Sequence, residues 1–153
     1  VHPPLPSPVP PASVGRGTGT IIIIASIVAI EPERLNGVYG ATKAFVLALS
    51  QSLQHELADK GVRVQAVLPG ATATDFWNVA GLPVEHLPQE IVMSAQDMVD
   101  AALVGLSQGE VVTIPALVDV ALWDSFEQAR RSLAPHLSRA QPAPRYGVVS
   151  ITA

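Results

Sequence analysis

The sequence predicts an α/β fold built on a parallel sheet, and three observations carry that prediction. Thr20 to Ala25 (TIIIIA) is β-branched on both faces, the pattern of a strand covered on both sides. Val38 to about Asp59 has helical spacing, with Val46, Leu49, Leu53 and Leu57 on one stripe and Ala41, Ala44, Phe45 and Ala48 on a second. Val62 to Leu68 alternates apolar and polar residues and stops at Pro69 and Gly70. Strand, helix and strand in that order form a βαβ unit, whose crossover leaves the two strands parallel.

The remaining elements follow from local chemistry. The first eleven residues hold six prolines, which remove backbone donors, so 1–16 is expected to be a disordered leader rather than part of a sheet. Gly15, Gly17 and Gly19 precede the first strand, whereas a phosphate loop follows a strand and opens a helix; they read as a lead-in turn. Apolar residues on two sides of the long helix predict burial on two sides, and Gly61 is placed to end it with a left-handed cap. Ala71 to Met93 has no clear period and reads as a long loop in which Phe76, Trp77, Leu82 and Val84 form an apolar lid. Ser94 and Asp97 form a capping box for a helix to about Ser107; a short strand from Glu110 to Ile114 and a last amphipathic helix from Val118 to Leu133 follow. The expected organisation is therefore the leader 1–16, a partial α/β domain over 17–133 and an irregular tail over 134–153.

Composition narrows the function. Nine Lys and Arg against thirteen Asp and Glu give a formal charge of −4, and no basic run exceeds Arg130-Arg131, which argues against nucleic acid and anionic membranes as partners. The ten residues from Ile21 to Ile30 are too few to span a bilayer as a helix. With no cysteine, thiol catalysis and disulfides are excluded, and a reducing cytoplasm fits. His2, His55, His86 and His136 have no ligand spacing, so no metal site is expected.

Tyr39 and Lys43, in GVYGATKAF, stand one helical turn apart, and Ser26 lies thirteen positions upstream at the end of the isoleucine strand. Residues i and i+4 share a helix face, and a cation beside a phenol lowers the cost of forming phenolate. That is an arrangement for proton transfer. With VRVQAVLPG, and with Thr72 and Thr74 after Pro69 and Gly70, these residues resemble the classical short-chain dehydrogenase/reductase family. The resemblance implies a Rossmann-like doubly wound parallel sheet and NAD(P) as cofactor, with NAD and NADP not distinguished. It makes Tyr39 the general acid/base, with Lys43 at its side and on the nicotinamide ribose, and Ser26 the group that orients the substrate oxygen. Pro69, Gly70, Thr72 and Thr74 would meet the nicotinamide end of the cofactor, together with Tyr39 and Lys43. A small carbonyl compound or alcohol would be the substrate, and the helix over 38–58 would pair two copies of the chain.

The family's N-terminal TGxxxGxG turn, its NAG turn and its helix-borne asparagine are not found. The expectation is therefore the C-terminal half only, with the dinucleotide-binding half of the sheet absent, in a truncated form of impaired activity. The alternatives are a non-enzymatic interaction or dimerisation module and one half of a split enzyme.

Overall fold

The structure is a computed structural model that describes residues 15–34, 37–79, 81 and 83–148. The leader, apart from Gly15 and Arg16, lies outside the described residues, as does Leu82 of the expected lid. Two compact units divide the chain, Val1–Ala116 and Leu117–Ala153.

In the first unit, strand β1 (Gly19–Ile24) leads through short 3-10 turns into helix α1 (Val38–Leu57), then strand β2 (Val62–Val67). The two strands pair in parallel from Gly19 against Val62 to Ile24 against Val67, the βαβ unit expected. Further on, β5 (Val112–Thr113) joins β2 in parallel, giving the sheet order β1-β2-β5. Successive strand residues face opposite sides of a sheet. Val62 and Val64 pack with Leu53 and Leu57 of α1, while Gln65, on the other face, donates its amide to the carbonyl of Ala102 in helix α3 (Ala95–Ser107). Helices therefore flank β2 on both sides, and all of β2 except Arg63 is buried.

Two expectations about burial are corrected. β1 alternates, with Ile21 and Ile23 packed on the α1 core and Ile22 and Ile24 at 40% and 49% exposure, so it is covered on one face. α1 is likewise buried along one side, through Gly40, Leu47, Ser50, Leu53 and Leu57, whereas Phe45 is 66% exposed. The apolar pattern records what each residue tolerates. It does not record which element of the same chain covers it.

The stretch after β2 is more ordered than its lack of period implies. β3 (Thr72–Ala73) pairs in parallel with β4 (Met93–Ser94), and between them lie helix α2 (Phe76–Val79) and two 3-10 turns. Ser94 then caps α3, its hydroxyl accepting from the Asp97 amide at 3.0 Å. A buried polar chain ties α3 to the sheet. Gln65 Nε2 donates to Ala102 O and to Thr113 Oγ1, each at 2.8 Å, and the Thr113 hydroxyl donates to Glu110 Oε2 at 2.6 Å. Gln65 Oε1 is buried with no hydrogen-bond partner among the described residues.

Gly61 adopts the left-handed conformation, φ +70, between α1 and β2, and a Cβ there would collide with the carbonyl oxygen of Gly17. Gly61→Ala is expected to cost at least about 2 kcal/mol, from left-handed strain plus the forced separation of the two turns. The check is the urea midpoint, which should fall at unchanged slope. An unmoved midpoint would show that neither the left-handed strain nor the contact with Gly17 O burdens the folded chain.

In the second unit, helix α4 (Val120–Ser132) begins at Asp119, whose carboxylate accepts from the Ala121 amide at 3.0 Å. Glu127 accepts both guanidinium hydrogen bonds of Arg130 at 2.8 Å, and Trp123 stacks on Phe126 at 5.4 Å. Short 3-10 turns at Ala134–His136 and Pro144–Tyr146 follow. No described helix is long and apolar enough to cross a membrane.

Candidate active site

The site is built where β1 and β2 end. Parallel pairing continues past the strands: the Ala25 amide donates to Val67 O at 2.8 Å and the Ile27 amide to Pro69 O at 3.0 Å. Ser26 therefore sits on extended backbone, φ −173, held from both sides, at the carboxyl end of the sheet where open α/β folds place ligands. Its hydroxyl oxygen accepts from the Val28 amide at 3.4 Å and so caps the 3-10 turn Ile27–Ala29. Accepting that bond occupies a lone pair and leaves the O–H to donate.

α1 enters the site through Gly37, whose φ of +85 turns the chain just before Val38. Tyr39 is half-buried in the first turn. One turn on, the Lys43 ammonium donates to the carbonyl of Ile24 at 3.2 Å and stands 5.6 Å from the centre of the Tyr39 ring. A single cation thus links the end of β1 to the phenol, and two of its three hydrogens remain for other acceptors.

Pro69 is buried and Gly70 half-buried after β2. A Cβ on Gly70 would meet only Ile27 Cδ1 at 3.8 Å, so the backbone here is bare on the side a flat ring could approach. The Thr72 hydroxyl turns back to Gly70 O at 3.2 Å, and Met93 N–H binds Ala71 O at 2.9 Å, which fixes this turn against β4. Thr74 is exposed, and its carbonyl accepts from Trp77 N at 3.5 Å.

The sequence reading missed how the lid is attached. Phe76 lies against Tyr39 itself, ring centres 5.8 Å apart and tilted 37°. Trp77 meets Phe76 edge-on at 5.4 Å, and its indole N–H donates to the Thr72 carbonyl at 2.8 Å. Composition flagged both rings, but no spacing rule announces an indole bonded to a carbonyl five residues back.

Residues 8–82 match the short chain dehydrogenase family. Among solved structures, a short-chain dehydrogenase from Sphingobium yanoikuyae in complex with NADPH is 50% identical, with a TM-score of 0.82 over 87% of this chain and 51% of its own. The bulky-bulky ketone specific alcohol dehydrogenase of Comamonas testosteroni is 43% identical, with a TM-score of 0.76 over 89% of this chain and 50% of its own. An uncharacterized oxidoreductase of Staphylococcus epidermidis is 35% identical over 104 residues, 68% of this chain and 43% of the relative. The chain spans about half the length of these similar proteins.

These matches correct the expectation of a C-terminal half with an absent dinucleotide-binding half and impaired activity. The likeness is not confined to 17–133: the family match starts at residue 8, and the structural matches take in 87% and 89% of the chain. The fold is a Rossmann-like parallel sheet with helices on both faces of its central strand, and the S. yanoikuyae short-chain dehydrogenase matched to it was solved with NADPH bound. The earlier expectation rested on motifs that were not found, and neither a missing motif nor a chain's length measures activity. A truncated form of impaired activity is thus contradicted by the extent of the likeness. The expectation of NAD(P) as cofactor stands, in keeping with that NADPH complex.

Proposed function

We propose that this chain belongs to the short chain dehydrogenases and serves an NAD(P)-dependent oxidoreductase that interconverts a small-molecule ketone, bulky substituents included, and its secondary alcohol. One observation carries the reading: the Lys43 ammonium is fixed at the end of β1 with the Tyr39 ring beside it. In reduction the Tyr39 hydroxyl gives its proton to the carbonyl oxygen, and in oxidation the Tyr39 phenolate takes it back. Lys43 holds its ammonium beside that ring, anchored on the Ile24 carbonyl. Ser26 donates its hydroxyl hydrogen to the same substrate oxygen and sets its direction. NAD(P), when bound, supplies or accepts the hydride at the carbonyl carbon.

The residues after β2 suit the nicotinamide end of that cofactor. Gly70, beside the buried Pro69, leaves backbone open to a flat ring, Thr72 and Thr74 offer amide and hydroxyl groups to a carboxamide, and Lys43 keeps donors for ribose oxygens. The 43% identity to a ketone-specific alcohol dehydrogenase supports a ketone as the carbonyl partner. Pairing of two copies through 38–58 is the assembly we favour, because Val38 and Phe45 expose 76% and 66% of their surface on that helix. The lack of cysteine supports a cytoplasmic setting.

The test is a titration of the purified protein with NADPH and NADH, following quenching of Trp77 and Trp123, coupled to a ketone panel monitored by NADPH consumption. Saturable binding at micromolar concentration with turnover of a ketone is expected. A folded protein that binds neither coenzyme would overturn the reading.

A further inference from the structure

Phe76 is a large apolar ring left 45% exposed directly beside the proposed proton donor. A carbonyl within hydrogen-bond reach of the Tyr39 hydroxyl brings its own substituents toward the neighbouring ring, and an open aromatic face there favours a planar apolar group over a polar or purely small one. The ring is also held. α2 has only four residues, too few to be stable by its own backbone bonds, and the bonds that tie it to the residues before it are long: Trp77 N to Thr74 O is 3.5 Å and Val79 N to Asp75 O is 3.3 Å. The short contact is the Trp77 indole N–H to the Thr72 carbonyl at 2.8 Å, with the Trp77 ring braced edge-on against Phe76. Thr72 in turn belongs to β3, which pairs with β4. The wall beside Tyr39 is thereby fastened to the strand proposed to meet the nicotinamide.

We infer that Phe76 selects ketones bearing an aryl substituent on the reacting carbon, and that Trp77 is a positioning residue that holds Phe76 in place through the Thr72 carbonyl. This inference rests on the oxidoreductase reading above. It adds the substrate class and names the two residues that set it.

The experiment compares kcat/KM for acetophenone and for butan-2-one, with NADPH, in the purified full-length protein and three variants. Phe76→Ala and Phe76→Leu are expected to lower the acetophenone to butan-2-one ratio about tenfold, the value of one aromatic contact. Trp77→Phe keeps the ring and loses the donor; the ratio should fall about fivefold, through KM for acetophenone, with the NADPH dissociation constant within twofold of wild type. If Phe76→Ala does not fold, Phe76→Leu decides by the same ratio. Wild-type turnover with an unchanged ratio in the folded Phe76 variants would overturn the inference and leave the oxidoreductase reading intact. A ratio that falls with Phe76 but not with Trp77→Phe would overturn the positioning role. Absence of turnover of either ketone by the wild-type protein with NADPH and with NADH alike would overturn both the inference and the reading beneath it.

Discussion

Tyr39→Phe is expected to lower kcat for ketone reduction by about 10²-fold to 10⁴-fold, the range spanned by loss of a positioned general acid. The substitution removes one oxygen and keeps the ring, so the tilted contact with Phe76 at 5.8 Å survives and α1 retains its packing. Coenzyme binding should fall little, because Lys43 remains anchored to Ile24 O. The measurement is single-turnover reduction at saturating NADPH, beside a fluorescence titration of the same sample. Retention of more than about a tenth of the wild-type rate would move the proton donor elsewhere, with Ser26 the next group to test.

Lys43→Met carries the second largest effect. Methionine is similar in length and apolar, so the helix face is filled while the charge and the donor to Ile24 O are both lost. We expect kcat/KM to fall by about 10²-fold to 10³-fold, comparable to removing one preorganised donor from a transition-state site. The NADPH dissociation constant should rise as well, since the same ammonium is proposed to hold the ribose. Global stability should change by no more than about 1 kcal/mol, because Lys43 is half-exposed and its hydrogen bond replaces one with water. Lys43→Arg should not restore the rate: a planar fork cannot occupy the place of a point donor between the Ile24 carbonyl and a ring 5.6 Å away. A Lys43→Met enzyme with normal turnover and weak coenzyme binding would confine the lysine to holding the cofactor.

Much of the central unit was legible because its signals are local. The β-branched run of β1, the glycine that must turn left-handed at 61, the Pro-Gly stop after β2 and the Ser94–Asp97 box each follow from backbone sterics or capping, and each lies within a residue or two of its expected place. Tyr39 and Lys43 were legible for the same reason, since one helical turn fixes their relation. The illegible parts depend on distance along the chain. β3 and β4 are two residues each, too short to show a period, and they meet across an unpatterned stretch. The bond from Trp77 to the Thr72 carbonyl uses a backbone acceptor that every residue carries, so nothing in the side-chain sequence marks it. Which face of β1 or α1 stays open depends on what packs there from far along the chain, and an apolar residue reads the same in either case.

The buried chain from Gln65 through Thr113 to Glu110 bears on how the third strand finds its place. β5 pairs through only Val112 and Thr113, and so brief a ladder has little hydrophobic preference for one alignment over another. A slip of two residues preserves the inward face but carries the Thr113 hydroxyl about 6.6 Å along β2, out of reach of the Gln65 amide. Gln65 is fully buried and its Oε1 has no partner among the described residues, so the slipped alignment would leave its amide with the Ala102 carbonyl alone and forfeit one buried hydrogen bond, about 0.5–1.5 kcal/mol. A misaligned β5 is thereby penalised about twofold to tenfold in population before any side chain clashes. The strand is keyed by a carboxamide rather than by oil, and its correct seating is a matter of donors and acceptors.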